Sequence, residues 1–122
     1  MLPRNARLTS PSDFARTTKS GIRATTENFV GYLYIQAAGN NSPRAGLIVG
    51  KSAGNSVQRH RISRQLRHAI APVLTELPNN SLFVIRALKG ASTSDLQNEV
   101  AQMVSTLKNK VAKITARSGV QA

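Results

Sequence analysis

The sequence predicts an α+β domain: a small sheet of about four strands packed with three helices. Two observations carry this. Apolar residues recur at helical spacing in two long stretches, from Ile62 to Val73 and from Leu96 to Val111. Before and between them lie short β-rich runs bounded by Gly, Pro, Asn and Ser, in the order helix, strands, helix, strand, helix. At 122 residues the chain is large enough for one real core and too small for two, so 1–116 reads as a single domain. Residues 117–122 read as a frayed C-terminal tail.

Ser10 and Pro11, with Asp13 three residues after Ser10, mark a capping-box-like start for a short helix that carries Phe14 and ends before Gly21. Ile22 to Thr26 is a short strand and Phe29 to Gln36 a better one. In the second, Val30, Tyr32 and Tyr34 share one face, and Phe29, Leu33 and Ile35 the other. Ala38 to Pro43 is a turn-rich connection, and Arg44 to Gly50 a buried strand. A basic helix runs from Ser56 to about Ala71, where Pro72, lacking an N–H, should kink or stop it. After a loop at Leu77 to Asn80, Ser81 to Leu88 forms the last strand. Ser94, with Gln97 at the third helical position, caps a long final helix. Its stripe is Leu96, Val100, Met103, Val104, Leu107 and Val111, extending to Ile114.

The basic helix and the segment before it, Lys51 to His68, hold the most informative pattern. At 100° per residue Ile62, Leu66, Ala69, Ile70 and Val73 gather on one side. Arg61, Arg64 and Arg67, with His60 and His68, project on the other, and Arg59 falls near the edge of the apolar stripe. One face can be buried while the other presents guanidinium forks that match phosphate oxygens. Lys51 and the Gly54-Asn55 pair lead into the helix N-terminus, where free N–H groups favour anions. An exposed amphipathic helix normally mixes Lys with Glu, yet this one holds no acid at all.

The whole chain repeats the theme. Seventeen Lys and Arg against five Asp and Glu give a formal charge of +12. No acid lies between Glu27 and Glu76, while six basic residues do. Such self-repulsion does nothing for folding and points to a polyanion, most simply a nucleic acid. A lipid surface fits less well, because the bulky apolar residues of the basic helix are needed for the core. The longest apolar run is far too short to span a bilayer, the N-terminus lacks a signal-peptide core, and there is no cysteine for disulfides or thiolate zinc sites. The expected location is the cytoplasm.

Catalytic readings fail on spacing. Gly50-Lys51-Ser52 imitates the end of a Walker motif, but position 45 is alanine where that motif requires glycine. Metal-dependent phosphodiester cleavage needs clustered carboxylates, whereas Asp13, Glu27, Glu76, Asp95 and Glu99 are scattered. His60 and His68 stand about 12 Å apart along a helix, too far to act as a pair, and each reads as a polar-face residue. Phe14, Tyr32 and Tyr34 are the aromatics to watch, because flat side chains stack on single-stranded bases. Two tyrosines on one strand face suggest a partly exposed surface. Lys108, Lys110, Lys113 and Arg117 add diffuse positive charge near the C-terminus.

The motifs also have a family likeness. Arg44-Ala-Gly-Leu-Ile-Val-Gly-Lys51, then Gly54-Asn55-Ser-Val and Arg59-His-Arg-Ile-Ser-Arg-Gln-Leu-Arg67, closely resembles the signature of bacterial ribonuclease P protein components. Leu2-Pro-Arg-Asn-Ala-Arg-Leu, Asp13-Phe14 and Leu82-Phe-Val-Ile-Arg-Ala87 look like the same family, so the resemblance runs from about Leu2 to Lys108. It implies a subunit, itself without catalytic residues, that binds a large catalytic RNA, one protein per RNA, and assists removal of the 5′ leader from precursor tRNA. The RNA, with magnesium, would carry the chemistry, and the protein would bind no cofactor of its own. Lys51, Asn55, Arg59, Arg61, Arg64 and Arg67 would contact that RNA, while Phe14 and Tyr32, with Tyr34 beside them, would meet the single-stranded leader. The implied fold is that of the second domain of a small-subunit ribosomal protein, with a left-handed strand–helix–strand crossover. His60, Ser63 and Ser52 depart from the family's usual asparagine and lysines, and Thr18 stands where a second aromatic is expected. The alternative reading is a structural RNA-binding protein such as a ribosomal component.

Overall fold

The computed structural model describes residues 6–36, 42–89 and 95–119. Helix α1 (Pro11–Ser20) precedes strands β1 (Ile22–Thr25), β2 (Phe29–Ile35) and β3 (Arg44–Ile48). Helix α2 (Ser56–Leu74), strand β4 (Ser81–Ala87) and helix α3 (Leu96–Gly119) complete the chain. The expected three helices and four strands are all present. The sheet order is β1-β2-β4-β3, so β1 and β3 are the edges. β2 pairs antiparallel with β1 and β4, whereas β3 and β4 run parallel around α2.

The alternation read in β2 sorts the molecule into two cores. Phe29 and Leu33, with Phe83 and Ile85 of β4, face Ile62, Leu66 and Ile70 of α2 and Val100, Met103 and Leu107 of α3. All ten are at most 1% exposed, and burying each contributes about 1.5–3 kcal/mol. On the opposite face Val30, Tyr32, Leu82 and Val84 pack with Leu8, and half-buried Phe14 of α1 closes over them.

Three local expectations change. α2 does not stop at Pro72, one of the two outcomes expected there, but continues to Leu74. The missing N–H removes only one helical bond so close to the end, and Leu74, 5% exposed, anchors the last turn in the core. Ser10 is the N-cap of α1 as expected, yet its hydroxyl makes no capping bond and lies 2.9 Å from that of Ser12. The backbone N–H groups of Asp13 and Phe14 donate instead to the Ser10 carbonyl. Tyr32 is buried at 9% exposure, not part of an open surface. The cause lies outside the strand: Leu8 N–H donates to the Ala45 carbonyl at 2.8 Å, seating the segment before α1 on that face. The backbone of α3 is helical to Gly119. The cap expected at Ser94 and most of the turn-rich connection after Ala38 lie outside the described residues.

Glu99 fastens α3 to the β1–β2 turn. Its carboxylate accepts from the Thr26 hydroxyl at 2.7 Å, the Asn28 side-chain amide at 2.6 Å and the Asn28 backbone N–H at 3.2 Å.

Candidate nucleic-acid interface

The cationic surface is assembled from Lys51 onward. A 3₁₀ turn, Lys51–Ala53, carries exposed Lys51 and ends at Gly54, whose φ of 145° is open to glycine and strained for other residues. That turn delivers Asn55 as the N-cap of α2. The Asn55 side chain accepts from Gln58 N–H at 2.9 Å, and the Gln58 side chain accepts from Asn55 N–H at 2.9 Å, a reciprocal capping box. The sequence pattern foresaw boxes elsewhere and missed this one, although Asn followed three residues on by Gln was the available signal.

From this fixed start the helical period sets the faces. Ile62, Leu66, Ala69 and Ile70 are buried, while Arg61, Arg64, His60 and His68 are exposed, and Arg59 and Arg67 are half-buried. Arg59 donates weakly to the Ser56 hydroxyl at 3.4 Å. Among the described residues, none of the four α2 arginines has a carboxylate partner. The acids are held elsewhere. Glu27, Asp95 and Glu99 line one hollow beside the β1–β2 turn, and Glu76 pairs with Lys108 at 3.0 Å. α3 packs on β1 as well as on α2, and Asp95 also borders a hollow with Gln65 and His68, so the acidic start of α3 lies beside the later turns of α2.

The aromatic candidates converge on the other side of the sheet. Phe14 and Tyr34 are half-buried and flank buried Tyr32. Register adds two residues that sequence reasoning passed over. Arg23 is the Cα partner of Tyr32, and Arg86 that of Val30, so both exposed arginines share this face with the aromatics. Arg86 could have been found from alternation, since it follows Leu82 and Val84 at period two; Arg23 needed the strand pairing. The α2 arginines and the aromatics therefore form two surfaces, not one.

Among the described residues, no group of three or more His, Asp or Glu side chains is placed to hold a metal, and no helix is long and apolar enough to cross a membrane.

A family model of ribonuclease P matches residues 2–111. The chain belongs to the ribonuclease P protein family. It is 40% identical over 121 residues to the ribonuclease P protein component of Mycolicibacterium gilvum (strain PYR-GCK), covering 98% of each chain. With that of Mycobacterium sp. (strain KMS) it shares 42% identity over 94 residues, covering 77% of this chain and 80% of the relative. Solved ribonuclease P proteins share the fold. The Staphylococcus aureus protein superposes with a TM-score of 0.72 at 24% identity, over 83% of this chain and 94% of that one. For the Thermotoga maritima protein the TM-score is 0.67 at 22% identity, over 84% and 96%. The chain is thus a protein subunit of the ribonuclease P holoenzyme, the tRNA-processing ribonucleoprotein, and the ribosomal alternative falls away.

Proposed function

We propose that the α2 surface docks on the catalytic RNA of ribonuclease P, one protein per RNA, with Lys51, Asn55, Arg59, Arg61, Arg64 and Arg67 as its contacts. The observation that carries this reading is the arginine face itself, exposed and free of carboxylate partners among the described residues. Phosphate contacts of this kind bind by releasing condensed counterions, so affinity falls steeply with salt. The aromatic face would take the single-stranded 5′ leader of precursor tRNA, with Phe14, Tyr32 and Tyr34 offering ring edges and Arg23 and Arg86 meeting the backbone. Half-buried Phe14 and Tyr34 have more surface for this than Tyr32. Magnesium would be held by the RNA, which performs the hydrolysis, while the protein lowers the repulsion between two polyanions. The cytoplasm is the compartment this reading requires.

Reconstitution tests it. At low magnesium the protein alone should leave precursor tRNA intact, and its addition to the cognate catalytic RNA should raise cleavage. Equal cleavage with and without the protein would sink the reading.

A further inference from the structure

A hollow of about 210 Å³ opens beside the first two turns of α2, lined by Val49, Ser56, Arg59, His60 and Ser63. The four polar residues stand at i, i+3, i+4 and i+7, a single stripe of the helix, and Val49, just after β3, supplies the apolar wall. The space is smaller than a drug-sized pocket and suits a compact group. The Nε of Arg59 is buried without a hydrogen-bond partner, a donor left wanting an acceptor. No carboxylate lines the hollow, and α3 contributes nothing to it. The elements packed against α2 are α3, β3 and the Lys51–Ala53 turn; the titratable side chains of the last two are Arg44 and Lys51. On α2 itself the charged neighbours of His60 are Arg59, Arg61 and Arg64.

We propose that this hollow seats one phosphate group, held by the Arg59 guanidinium and the Ser56 and Ser63 hydroxyls, with His60 binding as the imidazolium. This rests on the RNA-docking reading for the source of the phosphate, a backbone phosphodiester; a free or terminal phosphate shares the chemistry. All four side chains donate hydrogen bonds, and an imidazolium donates from both nitrogens. Arg61 and Arg64 are charged at every accessible pH, whereas His60 gains its charge only on taking up a proton. A bound phosphate favours the protonated ring, so binding draws a proton from solution. The extra affinity is then fully present below the pKa of the free imidazole and is lost as pH rises through the pKa of the complex.

The test uses the full chain with ¹³C-labelled histidine, titrated from pH 5.5 to 8.5 alone, with inorganic phosphate, with the dinucleoside monophosphate adenylyl-(3′→5′)-adenosine, and with the catalytic RNA. His60 should titrate at higher pH with the dinucleoside monophosphate and with the RNA. A rise of one pH unit corresponds to about tenfold tighter binding at the acid end. His60→Gln should flatten that part of the pH dependence. A response to inorganic phosphate but not to the dinucleoside monophosphate or the RNA supports the site and assigns it to free or terminal phosphate. An unchanged His60 titration with every anion overturns the proposal. If the RNA then still binds with a salt dependence that Arg61→Gln/Arg64→Gln reduces, the docking reading stands without it. If the RNA does not bind at all, docking fails, and the two small anions still decide the hollow.

Discussion

The Phe14 ring lies directly on the backbone of Gly46, so closely that a Cβ at position 46 would overlap ring atoms. This contact sets the distance between α1 and the sheet, and with it the width of the aromatic face. Gly46→Ala should destabilise the protein by about 1–3 kcal/mol, the usual range for overpacking, read from the urea midpoint. It should also weaken binding of precursor tRNA more than binding of tRNA without a leader. Equal loss for both RNAs would separate the α1 position from leader recognition.

The start of α2 depends on Asn55. Asn55→Ala removes the acceptor for Gln58 N–H and keeps the other half of the box, the backbone N–H of residue 55 donating to the Gln58 side chain. The expected loss is about 1 kcal/mol, within the range for N-cap deletions, seen as a lower urea midpoint for the free protein. An unchanged midpoint would mean that the Lys51–Ala53 turn alone fixes the helix start.

What could be read from the sequence depended on how far each feature reaches along the chain. The arginine face was legible because a helix maps spacing directly onto direction, so Ile62 and Leu66 being buried places Arg61 and Arg64 outside. The two faces of β2 were legible for the same reason, at period two. The covering of Tyr32 was not, because it depends on Leu8 bonding to Ala45, two segments far apart in sequence. Nor were Arg23 and the Val49 wall of the hollow, which are set by strand pairing and by packing of β3 on α2. Glu99 looked like one scattered acid, and its part in joining α3 to the β1–β2 turn appears only once the two are packed.

That role makes Glu99 a stability residue. In Glu99→Gln one side-chain oxygen becomes an NH₂ group. Whichever way the amide turns, it faces an N–H donor of Asn28, from the side chain or the backbone. Hydrogen bonds to a charged group are each worth about 1.5–3 kcal/mol, so the expected loss is about that size. Affinity for the catalytic RNA, measured in parallel, should not change. A drop in RNA affinity without a drop in stability would put the acidic hollow in contact with RNA.

Arg61 and Arg64 should behave in the opposite way. Both are exposed and without carboxylate partners among the described residues, so Arg61→Gln/Arg64→Gln should alter stability by no more than about 0.5 kcal/mol per site. The slope of log affinity against log salt for the catalytic RNA should flatten by roughly 0.7–0.9 for each phosphate contact removed. A parallel downward shift with no change of slope would assign these residues a role other than phosphate contact.

Pro72 gives the last test, because the helix passes through a residue expected to kink or stop it. Leu74 and Leu77 are buried just beyond, and Leu77 N–H donates to the Leu74 carbonyl at 3.1 Å, so packing holds the final turn against the preference of the proline. Pro72 is itself exposed, and replacing it opens no cavity. Pro72→Ala restores the N–H that can donate to the His68 carbonyl and relieves the ring's crowding of that turn, worth up to about 3 kcal/mol in a helix interior. Against this stands the greater freedom of the unfolded chain, about 0.4–1 kcal/mol. The net expectation is a gain of about 1–2 kcal/mol, read as a higher urea midpoint with an unchanged denaturant slope. A lower midpoint would show that α2 is built around the proline, whose ring then stabilises the turn it was expected to break.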